Sequence, residues 1–337
     1  MYQILIQFFI LVIFSISLIL LQSKYLILVD TPKEKHKKSY NKNIPLSGGI
    51  YLFISIFYNS LLSLYQYETY VVNLFLFFFL VLGIYSDLKN NFSPKFRLLI
   101  QAILILILIF FINLKINSTS VFFLDYFIEN NVFNIIFTSF CILVLINGTN
   151  FCDGVNCNVI GYYLMVITGI FLSGLSLPEY LKIETIITIF VIFYLFNFFK
   201  KYFLGDSGVY VISIFMGIYV IKFININTTI SPLLAVNLLW YPAYENLFTI
   251  FRRSIANKKI HLADRKHLHI FIFEWIAKKN NNKNFSNTLS GFIMNLFMFV
   301  GIFFSIQYYY SSKILLTILL LNVITYKIVY FYFLLKK

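Results

Sequence analysis

Apolar runs alternate with short polar clusters along the whole chain. The runs fall at about 2–22, 48–66, 69–86, 98–114, 131–147, 159–176, 183–199, 208–223, 231–251, 289–307 and 313–335. Each approaches or exceeds the length a helix needs to cross roughly 30 Å of hydrocarbon. The clusters between them are rich in turn formers and charge: "DTPKEKHKKSYNKNIPLSGG", "SDLKNNFSPK", "NGTNFCDGVNCN", "SLPEY", "KKYFLGDSG", "NINTTISP" and a long basic segment over 252–288. The pattern predicts an all-α polytopic membrane protein with about eleven transmembrane helices, forming one integral membrane domain over 1–337. The first run has no basic leading segment and no small-x-small cleavage site, so it is expected to be a retained span and not a signal peptide.

Composition supports this reading: 60% of residues are hydrophobic and only 12% charged, with a mean hydropathy of +0.83. Soluble domains carry about twice that share of charge. The net charge of +14 would suggest nucleic acid in a soluble protein. Here its placement gives another account. If the spans alternate, the segments 23–47, 87–97, 148–158, 200–207, 252–288 and the C-terminus share one side, which holds 22 of the 27 Lys and Arg residues. The positive-inside rule makes that side cytoplasmic, and no nucleic-acid partner is needed. Cys141, Cys152 and Cys157 have no zinc-ligand spacing, and on a reducing face they predict neither a disulfide nor a metal site.

The same parity collects the polar motifs. "PLSGG", "SDL", "NGTNFCDG", "GDSG" and "ADRKHLH" all fall on the cytoplasmic side, so an active site is expected at that face. In "FLGDSGVY" the letters around Ser207 resemble a serine protease, but that serine opens a membrane span without arranged His and Asp partners, so Asp206 is the residue of interest. Asp206 could simply cap the helix that follows. Asn147, Asn150, Asp153 and Asn156 recur every three residues and would share a polar stripe if the helix continued, although Asx-rich turns have the same composition. Asp87, Asp153 and Asp206 are hard oxygen donors of the type Mg²⁺ prefers, and Lys95 and Arg97 are basic partners for phosphate. Arg252 and Arg253 are expected to anchor a span at the headgroups. His267 and His269, two apart, cannot share a helical face, but both could reach a diphosphate from a turn. The pair Gly48-Gly49 at a span entrance suggests close backbone packing or approach of a phosphate.

Taken in order, these segments resemble the polyprenyl-phosphate N-acetylhexosamine-1-phosphate transferases of glycosyltransferase family 4. The likeness runs over residues 30 to 275. It is carried by Asp30, Pro32, His36, Pro45, Gly48 and Gly49; by Gly83, Asp87, Ser93, Pro94, Lys95, Arg97 and Gln101; by Asn147, Asn150, Asp153 and Gly154; by Gly205, Asp206 and Gly208; and by Asp264, Arg265, His267, Leu268 and His269. The resemblance implies Mg²⁺-dependent transfer, with Mn²⁺ as a substitute, of a sugar-1-phosphate from a UDP-N-acetyl sugar to undecaprenyl phosphate in the bacterial inner membrane. It makes Asp87, Asp153 and Asp206 catalytic, with Asp206 and Asp153 as metal ligands. It gives His36, Lys95, Asn147, Asn150, Asn156, Asp264, Arg265, His267 and His269 to the substrates.

The chain departs from the family pattern at three places. Ser86 replaces the first Asp of an acidic pair that could act as a general base. The lipid phosphate is already largely ionised near neutral pH, so activity does not require that base. Asn156 and Cys157 replace a second Asp-Gly, and Ile270 replaces a last His. The Asp-Arg-x-His-Leu-His form is nearer the polysaccharide-initiating branch than the enzyme that makes lipid I. The alternatives are that lipid I enzyme, an inactive homologue, and a transporter of lipid-linked anions. A transporter would be expected to carry mid-span charges and inverted repeats; here such charges are few, Lys327 being the clearest, and no repeat is evident. A homodimer is compatible with the sequence, but no small-xxx-small pattern marks its interface.

Overall fold

A computed structural model describes residues 2–25, 28–30, 44–61, 67–89, 92–180, 182–255, 266–280 and 282–336. The helices are α1 (Tyr2–Tyr25), α2 (Gly48–Leu61), α3 (Tyr67–Leu88), α4 (Pro94–Ile112), α5 (Phe122–Ile128), α6 (Asn131–Cys152) and α7 (Asn158–Leu172), then α8 (Ile183–Phe198), α9 (Gly205–Ile226), α10 (Leu233–Leu238), α11 (Trp240–Ile255), α12 (Leu268–Lys279), α13 (Lys283–Gln307) and α14 (Ser312–Leu335). A two-residue antiparallel pair, β1 (Val29–Asp30) and β2 (Ile44–Pro45), matches Val29 with Pro45. Among the described residues seven helices are long and apolar enough to cross a membrane: α1, α3, α4, α6, α9, α13 and α14. α2, α7 and α8 are shorter apolar helices. The protein is thus an all-α polytopic membrane protein, as the run pattern predicts.

α9 is the axis of the bundle. It is apolar all round and almost wholly enclosed by protein, with α2, α3 and α6 against it. A helix without a polar face has to be buried in this way or face lipid. α1, α4 and α14 are the least enclosed spans and turn large apolar residues outward, among them Phe9, Phe110 and Leu320. α11 packs on α6, α13 on α7, and α12 on α13 and α14.

The ninth run, 231–251, is not one continuous span. It divides into α10 and α11 at Leu239. Pro242 is the cause: it has no N–H to give to the carbonyl four residues earlier, and its ring crowds that carbonyl. The carbonyl so released is that of Leu238, and the Tyr162 hydroxyl donates to it at 2.7 Å. A broken helix is tolerated at membrane depth when a neighbour satisfies the freed group, which is what Tyr162 does. α5 is a second difference, a short helix in a segment the run pattern left as loop. Its Phe122, Phe123 and Tyr126 are exposed.

Candidate active site

The polar ends of α3, α4, α6 and α9 meet. Asp87, next to last in α3, reaches across to the start of α9. Its Oδ1 accepts the Asp206 N–H at 2.9 Å, and its Oδ2 accepts the Ser207 N–H at 3.2 Å and the Ser207 hydroxyl at 3.1 Å. The first N–H groups of any helix lack partners inside it and favour negative charge, so Asp87 caps α9 from another helix. Asp206 therefore does not cap its own helix, and its carboxylate is free for other contacts. Oδ1 accepts Asn150 Nδ2 at 2.7 Å, while Oδ2 accepts the Ser86 hydroxyl at 2.6 Å and Arg97 Nη1 at 2.9 Å. The Arg97 and Asp206 side chains remain 23% and 24% exposed, so the pair faces an accessible space. Arg97, an expected partner for phosphate, meets Asp206 and, at 3.2 Å, Ser86.

The glycines make these distances reachable. Gly205 has φ +68°, a conformation that suits glycine, and a Cβ there would lie 2.8 Å from Asp87 Oδ2. A Cβ on Gly83 would lie 2.2 Å from the Ser207 Cα, and one on Gly49 would lie 2.5 Å from the Ser207 hydroxyl oxygen. The "GG", "GIYSD" and "GDSG" glycines thus form one packing device joining α2, α3 and α9. Ser207 is fully buried in it, with its hydroxyl on Asp87, and cannot serve as a nucleophile. The strand pair supports the same place: Phe203 N–H donates to the Pro45 carbonyl at 2.9 Å and Gly48 N–H to the Phe203 carbonyl at 3.0 Å.

The end of α6 carries the amide stripe only part of the way. Asn147 Nδ2 donates to Leu143 O at 2.9 Å and to Gln101 at 3.4 Å, and Asn150 holds Asp206. The helix stops at Cys152, so Asp153 closes it and Asn156 leaves the stripe. Asn156 is buried against α13 instead. Its N–H donates to Asn287 Oδ1 at 2.8 Å and its Nδ2 to Thr288 at 3.4 Å, while a Cβ on Gly291 would lie 1.9 Å from its carbonyl oxygen. It thus stands apart from the stripe, with its N–H and side-chain amide turned to α13. Lys95 stands exposed on the first turn of α4. His36, Asp264 and Arg265 lie outside the described residues.

Asp153 differs from the other two acids. Its carboxylate has no hydrogen-bond donor or ion-pair partner among the described residues. Burial, then the nearby Asp206, Asp87 and Asp30, push its pKa up to about 8. Among the described residues negative charge is therefore in excess at this point, and a proton or a cation balances such an excess. That excess, with hard oxygen donors on Asp153 and Asp206, fits a divalent cation. Among the described residues no three His, Cys, Asp or Glu side chains are grouped for a metal. Mg²⁺ needs only one or two carboxylates when phosphate and water complete its shell.

The histidines stand beside the end of α6. His267 precedes α12 in extended backbone (φ −100°, ψ 146°), which places its ring alongside that of His269, 5.5 Å between centroids and 11° from parallel. The expectation that the two cannot share a face of a regular helix holds, and the extended residue is how they nevertheless stack. His267 also stacks on Phe151 at 5.6 Å, and the Arg253 guanidinium lies over the Phe151 ring at 5.9 Å. Arg253 is buried, and Arg252 meets the Lys266 carbonyl and the Tyr330 hydroxyl, so neither is merely a headgroup anchor. His269 is buried, neither ring nitrogen has a partner among the described residues, and burial followed by its neighbour His267 holds its pKa well below the usual imidazole value. Gly154 admits it, since a Cβ there would lie 2.3 Å from His269 Nε2.

Residues 69–224 match the profile of glycosyl transferase family 4. Over that stretch the chain is similar to the family. It is also 28% identical over 253 residues to a Bacillus subtilis (strain 168) protein named "Probable undecaprenyl-phosphate N-acetylglucosaminyl 1-phosphate transferase", covering 72% of this chain and 68% of the relative. The matched region runs from α3 almost to the end of α9. It holds Asp87, Asn147, Asn150, Asp153 and Asp206, while the strand pair and the histidines lie outside it.

Proposed function

We propose that the protein transfers N-acetylhexosamine-1-phosphate from a UDP-sugar to undecaprenyl phosphate, releasing UMP and starting a cell-envelope polysaccharide. The observation that carries this reading is the union of Asp206, Arg97, Asn150 and Asp87 at four helix ends, next to the cation-deficient Asp153. The named relative supports the same substrates. In the reaction an oxygen of the lipid phosphate forms a bond to the sugar-bearing phosphorus. The bond from that phosphorus to the bridging oxygen breaks, and UMP leaves with the electron pair. Such a transfer needs little covalent help; it needs positioning and charge neutralisation. Asp153 and Asp206 would hold Mg²⁺, or Mn²⁺ in its place, to neutralise phosphate charge.

Arg97 can exchange its bond to Asp206 for one to a phosphate oxygen. Asn150 keeps the Asp206 carboxylate oriented through that exchange, and Asp87 keeps the start of α9 in place. With no acid at position 86, the lipid phosphate reacts in its already ionised form. The excess of Lys and Arg on the site's side of the chain supports a multi-pass protein of the bacterial inner membrane with this site facing the cytoplasm. Purified protein in detergent, given undecaprenyl phosphate and a panel of UDP-N-acetyl sugars, should release UMP only with lipid, a divalent cation and intact Asp206. Well-folded wild-type protein that released none across the panel would overturn the proposal.

A further inference from the structure

Glu245 is one of the few buried acids, 1% exposed on α11, and it meets two groups from distant parts of the chain. Its Oε1 lies 2.7 Å from His267 Nδ1 and its Oε2 accepts the Tyr326 hydroxyl of α14. Burying a carboxylate costs several kcal/mol unless it is well bonded, so packing alone would favour an apolar residue here. The cost has a use if His267 must be held. A carboxylate on one imidazole nitrogen fixes the tautomer and the ring plane, and leaves the other nitrogen for a ligand. His267 Nε2 has no partner among the described residues, and the ring lies on Phe151, between Asn150 and Asp153 in sequence.

We infer that Glu245, itself held by Tyr326, is a positioning residue that sets His267 so that Nε2 meets the anionic oxygens of the sugar nucleotide's diphosphate. This rests on the transferase reading above. With Nδ1–H directed to Glu245, Nε2 can donate only from the doubly protonated ring, whose charge the Glu245 carboxylate balances. Glu245 touches neither substrate nor reacting atoms; its effect passes through His267.

The test is a double-mutant cycle on full-length protein, measuring UMP release while the UDP-sugar is titrated. Glu245→Gln should raise KM for the UDP-sugar about tenfold, the scale of one hydrogen bond to a charged group, with a smaller change in kcat. Glu245→Asp should recover part of the loss. In the His267→Ala background, Glu245→Gln should add nothing. A loss equal in both backgrounds, in active and monodisperse protein, would overturn the inference while leaving the transferase reading intact. If Glu245→Gln does not fold, Tyr326→Phe carries the same cycle, with a smaller rise in KM that must also vanish beside His267→Ala. Wild-type protein that released no UMP would overturn the transferase reading and this inference with it.

Discussion

The start of α9 and the end of α6 supply neighbouring acids to one site, yet they solve the problem of negative charge in opposite ways. At α9, Asp87 is satisfied by two backbone N–H groups and a hydroxyl, and Asp206 by an amide, a guanidinium and the hydroxyls of Ser86 and Tyr210. At the end of α6, Asp153 has neighbours of its own sign and no donor among the described residues. The first region is held by the protein's own donors; the acid of the second has none among the described residues. A fixed frame beside an unsatisfied acid lets binding free energy be released where the substrate's phosphates arrive.

The sharpest way to break this comparison is at the acids themselves. Asp206→Asn should lower UMP release by a factor on the order of 10³, the scale reported for losing one electrostatic contact to a transition state. Asp153→Asn should be similarly damaging, and should also weaken Mg²⁺ binding measured without substrate. If Asp153→Asn bound Mg²⁺ as wild type does, the unsatisfied acid would not be its ligand.

Gly205→Ala comes next, and it tests the frame. The new methyl would meet Asp87 and force a left-handed backbone on alanine, a strain of about 1–3 kcal/mol. Thermal inactivation should occur at markedly lower temperature, with activity falling in step. Asp87→Asn keeps the shape but removes the charge from the α9 cap, and should cost about 1 kcal/mol. Equal stability with lost activity in Asp87→Asn would give Asp87 a direct chemical role beyond capping.

What was legible in the sequence follows from which forces act locally. Span positions come from runs of apolar residues, a property of each segment alone, and α3, α4, α6, α9, α13 and α14 appear close to where the runs place them. The break at Leu239 was also written locally, in Pro242, but a run of apolar letters hides a missing N–H. Asp206 stood out in the sequence as the acid set between two glycines where a span begins. That Asp87 caps α9, that Ser86 bonds Asp206, and that Glu245 holds His267 could not be read, because those contacts span 119, 120 and 22 residues. Asn156 does not share the stripe of Asn147 and Asn150, because the helix ends at Cys152 before the three-residue period reaches it.

The effect of pH sharpens the contrast more finely. Unfolded, Asp153 ionises in the ordinary carboxylate range; folded and without a cation, it keeps its proton up to about 8. Folding therefore takes up a proton between those two values, and stability falls as pH rises through that window, then levels off. In chelator, wild-type protein should lose more thermal stability than Asp153→Asn between about pH 5 and about pH 8, and Mg²⁺ should remove the difference. Parallel curves for the two proteins in chelator would mean that Asp153 is balanced from within the fold.

The smallest expected effect is at Ser86. Its hydroxyl gives one hydrogen bond to Asp206 beside Arg97, and Ser86→Ala should cost about 1 kcal/mol, roughly a fivefold loss of rate. Asp206 keeps Arg97 and Asn150, so the loss should not grow beyond that. Ser86→Asp is the more informative change. It sets a second carboxylate against Asp206 and makes the start of α9 resemble the end of α6, short of positive charge. If the proposed cation balances the site, the variant should be less stable than wild type in chelator and should regain stability as Mg²⁺ is added. A loss that Mg²⁺ does not reverse would mean that Arg97 and Ser86 already set the charge this site can hold.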